Sequence, residues 1–156
     1  MIPQSDIPSA LIAPCGMNCG ICMAFLREKN SCTGCNVESP QKLNHCFVCS
    51  IKNCSEREDG SQFCFDCKKY PCARLRQLDK RYRTKYGMSM IENLNGIRDS
   101  GLDRFMEIEN TRWVCPRCGN HICVHNGKCY TCKSWRGLSV YFTNPIFVFI
   151  YPAHTL

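Results

Sequence analysis

Six Cys-x-x-Cys pairs, at 19/22, 32/35, 46/49, 64/67, 115/118 and 129/132, constrain this chain more than anything else in it. Each such turn aims two sulfurs at one centre, which suits a tetrahedral ion with Zn–S bonds of about 2.3 Å. Disulfide frameworks instead spread their cysteines so that the bridges close long loops. Sixteen cysteines in 156 residues lie far beyond ordinary globular usage. Segments so rich in cysteine bury too little apolar surface to stand without a cross-link or a metal. The spacing selects metal.

Within this pattern the unit C-F-x-C-x4-C occurs twice, as Cys46-Phe47-Val48-Cys49 with Cys54 and as Cys64-Phe65-Asp66-Cys67 with Cys72. Proximity in sequence groups Cys19/Cys22 with Cys32/Cys35, Cys46/Cys49 with Cys64/Cys67, and Cys115/Cys118 with Cys129/Cys132. Cys54 and Cys72 hold the same place in both copies of the repeat, so they are expected to be ligands too, with Cys15 as a companion. The Tyr70-Pro71 pair restricts the backbone just ahead of Cys72. The expected cofactor is Zn2+, three or four ions. Cys123 is the weakest candidate, and His125 could take its place.

Along the chain, residues 1–14 read as an extended arm with prolines at 3, 8 and 14. A cysteine-rich metal-binding domain of zinc knuckles spans 15–72, with a short helix expected to begin near Cys19. A helix start would lower the thiolate pKa there. Residues 73–110 lack cysteine and form a helical middle segment. Leu75, Leu78, Tyr82 and Tyr86 mark one helix face over 73–86, ended by Gly87. Ser89 and Glu92 form a capping box for a second helix, and Leu102, Phe105, Met106 and Ile108 mark a third. A zinc ribbon over 111–136 follows, from Cys115-Pro116-Arg117-Cys118-Gly119 and Cys129-Tyr130-Thr131-Cys132. Residues 137–156 are an apolar tail or hairpin. The expected class is a small metal-stabilised α+β fold.

Function is narrower in what it excludes. Four thiolates close a coordination sphere and leave no open position for substrate, and no catalytic His or carboxylate constellation stands out. Six CxxC copies without a βαβ context argue against a thioredoxin-type dithiol. Cys15-x3-Cys19-x2-Cys22 has radical-SAM spacing, but too little chain follows for that barrel. A [4Fe–4S] cluster in the N-terminal half, serving electron transfer, is the alternative cofactor, since four thiolates hold one equally well. Zinc is favoured because no ferredoxin run occurs.

The formal charge of +7 falls to about −1 once sixteen thiolates on four divalent ions are counted. A nucleic-acid-binding module using the basic helix 73–86 is therefore not favoured, and a structural or adaptor role with a protein partner is expected. Met1–Pro14 contains no Lys or Arg and does not read as a secretory signal. No run approaches the ~20 apolar residues of a membrane helix. The expected setting is cytoplasmic, without a membrane.

Pro14-Cys15-Gly16, Cys19-Gly20, Cys22, Cys32-x-Gly34-Cys35, Cys49-x-Ile51-x2-Cys54 and Cys64-x2-Cys67-x2-Tyr70-Pro71-Cys72-x2-Leu75 resemble a widespread family of small cysteine-rich proteins. These occur in anaerobic bacteria and archaea and are classed as a domain of unknown function, with zinc binding ascribed to them. The resemblance covers roughly 12–80, and the following helices and ribbon resemble a longer subset of the family. It implies metal binding in an anaerobic cytoplasm and brings no established activity.

Overall fold

The computed structural model describes residues 6–136 apart from 41, 58 and 59. It is mostly helical. Single-turn helices α1 (Met23–Leu26) and α2 (Asn44–Phe47) and 3-10 turns at Ser9–Leu11, Cys19–Ile21 and Cys64–Asp66 punctuate the cysteine-rich half. Three longer helices follow, α3 (Ala73–Tyr86), α4 (Met90–Ser100) and α5 (Leu102–Arg112). The expected β component reduces to isolated antiparallel bridges among the described residues, Ile12 with Asn18, Val114 with His121, Ile122 with Cys129 and Lys128 with Trp135. A ladder needs consecutive paired residues, and here a turn interrupts the backbone every few positions. The apolar stretch at 137–156 lies outside the described residues.

The three helices form for the reasons the sequence supplies. Gly87 takes a left-handed conformation (φ 61°) and stops α3, whose last turn carries Arg83 and Lys85, cations that complement the negative end of the helix dipole. Ser89 caps α4, its Oγ accepting the Glu92 N–H at 3.0 Å. Asp79, the one acid in the basic stretch, is buried and accepts from Ser89 Oγ at 2.6 Å and from the Ile91 N–H at 3.1 Å. That carboxylate ties α3 to the start of α4.

The core is organised around residues 12–22. Of the segment read as an extended arm, Ile7, Leu11, Ile12 and Ala13 are buried, and Ser9–Leu11 is a 3-10 turn against α5. Ile12 and Ala13 lead into a tight hairpin, the Ala13 N–H donating to the Met17 carbonyl at 2.8 Å. Four separate parts of the fold bond to this hairpin. Asn93 of α4 donates to the Gly16 carbonyl at 2.9 Å. Asn18, fully buried, donates to Glu109 of α5 at 3.0 Å while its Oδ1 accepts the Gly20 N–H at 3.0 Å. The Cys64 N–H reaches the Pro14 carbonyl and the Val124 N–H reaches the Ile21 carbonyl, both at 2.9 Å. Leu94, Met90, Met88, Leu75, Trp113 and Ile122 join the hairpin in one apolar cluster.

Gly16 has φ 85°, and a Cβ there would lie 2.7 Å from the Met90 carbonyl oxygen and 2.9 Å from Leu94 Cγ. Gly87 also has positive φ but faces open space. Gly87→Ala is thus expected to cost about 1–2 kcal/mol, the left-handed strain alone. Gly16→Ala adds a clash with backbone and is expected to cost clearly more than Gly87→Ala in denaturant melts. Equal losses would remove the hairpin from its central place.

Glu109 gives a pH prediction. Burial pushes its carboxyl above the ordinary value of 4.5, against the opposing Arg112 charge and the Asn18 hydrogen bond. A raised folded-state pKa means that the native state holds this proton more tightly than the unfolded chain. Its favourable contribution is therefore complete below the unfolded pKa and is lost as pH rises through the folded one. The melting-temperature difference, wild type minus Glu109→Gln, should fall as pH increases from 5 to 8. A gap that does not change with pH would contradict the assignment.

Candidate metal centre

The segment after α5 makes two turns that face each other. In the first, the Gly119 N–H donates to the Cys115 carbonyl at 2.9 Å; in the second, the Cys129 N–H donates to the Ser134 carbonyl at 2.8 Å. The Val114–His121 and Ile122–Cys129 bridges join them. The result brings Cys115, Cys118, Cys129 and Cys132 together, with all four Sγ atoms within 4.8 Å of one another. Cys115 Sγ lies 3.6 Å from Cys132 Sγ, and Cys118 Sγ lies 3.6 Å from Cys129 Sγ. Four sulfurs at ~2.3 Å around one ion form a tetrahedron with edges of about 3.8 Å. The donor set fits a single tetrahedral ion, with Cys115 and Cys129 on the buried side and Cys118 and Cys132 half-exposed.

Two side chains that sequence reasoning missed support these sulfurs. Ser134 Oγ stands 3.0 Å from Cys132 Sγ and 3.3 Å from Cys115 Sγ. Asn120 donates to Cys118 Sγ at 3.6 Å. Each lies two residues beyond the second cysteine of its pair, so the signal was a repeated Cys-x-(Ser/Asn) offset. The Ser134 hydroxyl and backbone N–H pull the Cys132 thiol down to about 6. Burial opposes ionisation of Cys115, but hydrogen bonds from Ser134 and the backbone outweigh it and its pKa falls. Burial pushes Cys129 up to about 11. Outer donors of this kind orient and tune metal ligands.

The other expected ligands are arranged differently. Among the described residues no further group of three or more His, Cys, Asp or Glu side chains brings its ligand atoms within 4.8 Å. Cys54, Cys64, Cys67 and Cys72 line one small cavity, so Cys64/Cys67 stand with Cys54 and Cys72, and not with Cys46/Cys49 as sequence proximity suggested. Cys35 stands with Cys19. The Cys35 N–H donates to Cys19 Sγ at 3.4 Å. The Cys19 thiol holds Cys35 low, at about 7, helped by the charges of Lys42 and Lys52. Burial raises Cys46 to about 11, with Cys35, Cys32, Cys22 and Cys49 adding repulsion.

The expected helix at Cys19 opens as a 3-10 turn, because Cys22 takes an extended backbone (ψ 137°) before α1 begins. Its anticipated acidifying effect does not prevail. Burial raises Cys15, to about 12, and Cys22, while hydrogen bonding to Cys35 and burial raise Cys19. No disulfide joins any of the sixteen cysteines.

His125 is committed elsewhere. Its Nδ1 accepts the Met23 N–H at 3.2 Å and its Nε2 lies 3.0 Å from the Tyr82 hydroxyl. The ring packs edge-on against Tyr82 and Tyr86, so it locks α1 and α3 to the C-terminal segment. His125→Phe should leave metal content unchanged and cost about 1 kcal/mol through the half-buried Tyr82 hydroxyl it leaves unpaired. Loss of a metal equivalent on this substitution would make it a ligand after all.

None of the curated proteins or solved structures compared matches the chain. Residues 11–77, which hold the cysteines from Cys15 to Cys72 but stop short of the 115–132 cluster, match the family model described as "Protein of unknown function (DUF3795)".

Proposed function

We propose that this chain is a zinc protein with a structural or adaptor role, its C-terminal segment folded as a zinc ribbon on Cys115, Cys118, Cys129 and Cys132. The observation that carries the reading is the mutual approach of these four sulfurs, with Cys115–Cys132 and Cys118–Cys129 at 3.6 Å. Four thiolates complete the sphere of the ion, so the metal contributes folding energy and is not a site of chemistry.

The free thiols call for a reducing compartment, and the cytoplasm meets that need. No helix among the described residues is long and apolar enough to cross a membrane. A protein partner fits better than nucleic acid. Several cations of α3 and its start are engaged within the chain, Arg74 donating to the Ser50 carbonyl at 3.0 Å, Arg76 to the Pro71 carbonyl, and Arg83 pairing with Asp79 at 3.6 Å. Val48, 69 % exposed, together with the exposed Phe47 and Val37, presents apolar surface on the cysteine-rich half.

Elemental analysis of the anaerobically purified chain tests the metal assignment. Cys132→Ser should lower the zinc count by about one per chain and lower the melting temperature, because a lost structural ion removes folding energy with it. An unchanged zinc count would refute the ribbon site.

A further inference from the structure

The cavity between the second cysteine repeat and α3 is a different kind of place from the 115–132 cluster. Cys54, Cys64, Cys67 and Cys72 line it, together with Ile51, Tyr70, Leu75, Arg57 and Arg74, and its volume is about 30 Å³. That is roughly twice what one water needs. The four cysteines come from separate pieces of backbone: the turn after Ile51, the 3-10 turn Cys64–Asp66 with Cys67 just beyond it, and the N-cap of α3. Their convergence on one hollow is a tertiary fact, since Cys54 and Cys64 are separated by a charged loop.

The sulfurs of this hollow are set more widely than those of the 115–132 cluster. The same fold draws Cys115, Cys118, Cys129 and Cys132 to within 4.8 Å, but no three of the cavity's cysteines come that close. A lone tetrahedral ion requires the tight arrangement, with edges of about 3.8 Å. An iron–sulfur cluster interposes inorganic sulfide and several irons between its thiolates and holds them further apart while still using four cysteines.

The charges around the cavity fit as well. Four thiolates on a [4Fe–4S]2+ core carry a net charge of about −2, and Arg57 and Arg74 supply two positive charges at the lining. Arg57 is anchored by its Nη2, donating to the Lys52 carbonyl at 2.6 Å. Its Nε is buried with no hydrogen-bond partner. Buried donors of this kind are ordinarily satisfied. Ile51, Tyr70 and Leu75 supply an apolar wall.

We propose that Cys54, Cys64, Cys67 and Cys72 hold a [4Fe–4S] cluster, distinct from the zinc site at 115–132. The chain then carries two kinds of thiolate centre, one closed on a single ion and one built around a cluster. This inference does not depend on the ribbon assignment.

The test uses the full chain, expressed with iron and sulfide available and purified anaerobically. The expected protein is brown, absorbs broadly near ~400 nm as iron–sulfur proteins do, and contains iron and acid-labile sulfide in equal amounts. Mass-spectrometric mapping of iodoacetamide labelling should show Cys54, Cys64, Cys67 and Cys72 protected as a set and released together when the cluster is destroyed by chelator and oxidant. Cys72→Ser should lower iron and sulfide by about four each per chain, with zinc retained, whereas Cys132→Ser should lower zinc and spare the iron. Colourless protein whose four thiols protect a second zinc would overturn the cluster. So would iron and sulfide in a chain in which these four cysteines label freely. The labelling map is read on the wild-type chain, so it decides the matter even if Cys72→Ser fails to fold.

Discussion

The buried amide of Asn18 is the interaction on which the rest of this structure depends. Its oxygen caps the 3-10 turn that carries Cys19, and its nitrogen donates to Glu109, ninety-one positions further along the chain. Both partners lie out of water, Asn18 at 0 % and Glu109 at 1 % exposure. A buried polar pair is costly when half-made, so the hairpin and α5 are held to one relative position. Asn93 does the same for α4 through the Gly16 carbonyl. The helices thus fix the loop that carries Cys15, Cys19 and Cys22, and the thiols are presented from a conventional apolar core.

That arrangement divides the work between metal and core. A cysteine-rich chain is expected to lean on its metals for folding energy. Here Leu94, Met88, Met90, Leu75 and Ile12 are buried to 1 % exposure or less, and one continuous apolar cluster runs from Ile7 to Cys129. Several thiols belong to this cluster. Burial raises Cys15, to about 12, and Cys22, and outside the cluster it raises Cys46 to about 11. A thiol that binds metal does so as the thiolate, so metal loading is coupled to proton release. Cys35 and Cys132 stand apart, drawn down by a neighbouring thiol with two lysines and by Ser134 respectively.

The two cysteine neighbourhoods also differ in how local they are. The 115–132 turns are close in sequence, and short backbone hydrogen bonds are enough to bring their sulfurs together. The cysteines before residue 73 are interleaved: Cys35 stands with Cys19, Cys54 stands with Cys64, Cys67 and Cys72, and Cys46 feels Cys35, Cys32, Cys22 and Cys49. The repeat C-F-x-C-x4-C is likewise built into two local structures, a turn of α-helix at Asn44–Phe47 and a 3-10 turn at Cys64–Asp66, so equal sequence does not mean equal conformation.

The sequence by itself determined what depends on near neighbours. The CxxC spacing pointed to metal, the apolar period placed α3 from Ala73 to Tyr86, Gly87 ended it, and Ser89 capped α4. The four cysteines of the C-terminal cluster were legible for the same reason, since the two turns that bring them together close within twenty residues. Only the tertiary structure decided the rest. Residues 7–13 read as an arm because prolines break local periodicity, yet Ile7, Leu11 and Ile12 are core. Nothing in sequence links Asp79 to Ser89, Asn18 to Glu109 or His125 to Met23, because a buried polar group is identified by the partner that satisfies it. The grouping of the N-terminal thiols was out of reach for the same reason. Eleven like ligands in fifty-eight residues can be shared out in many ways, and it takes the packing of the hairpin against α3, α4 and α5 to choose among them.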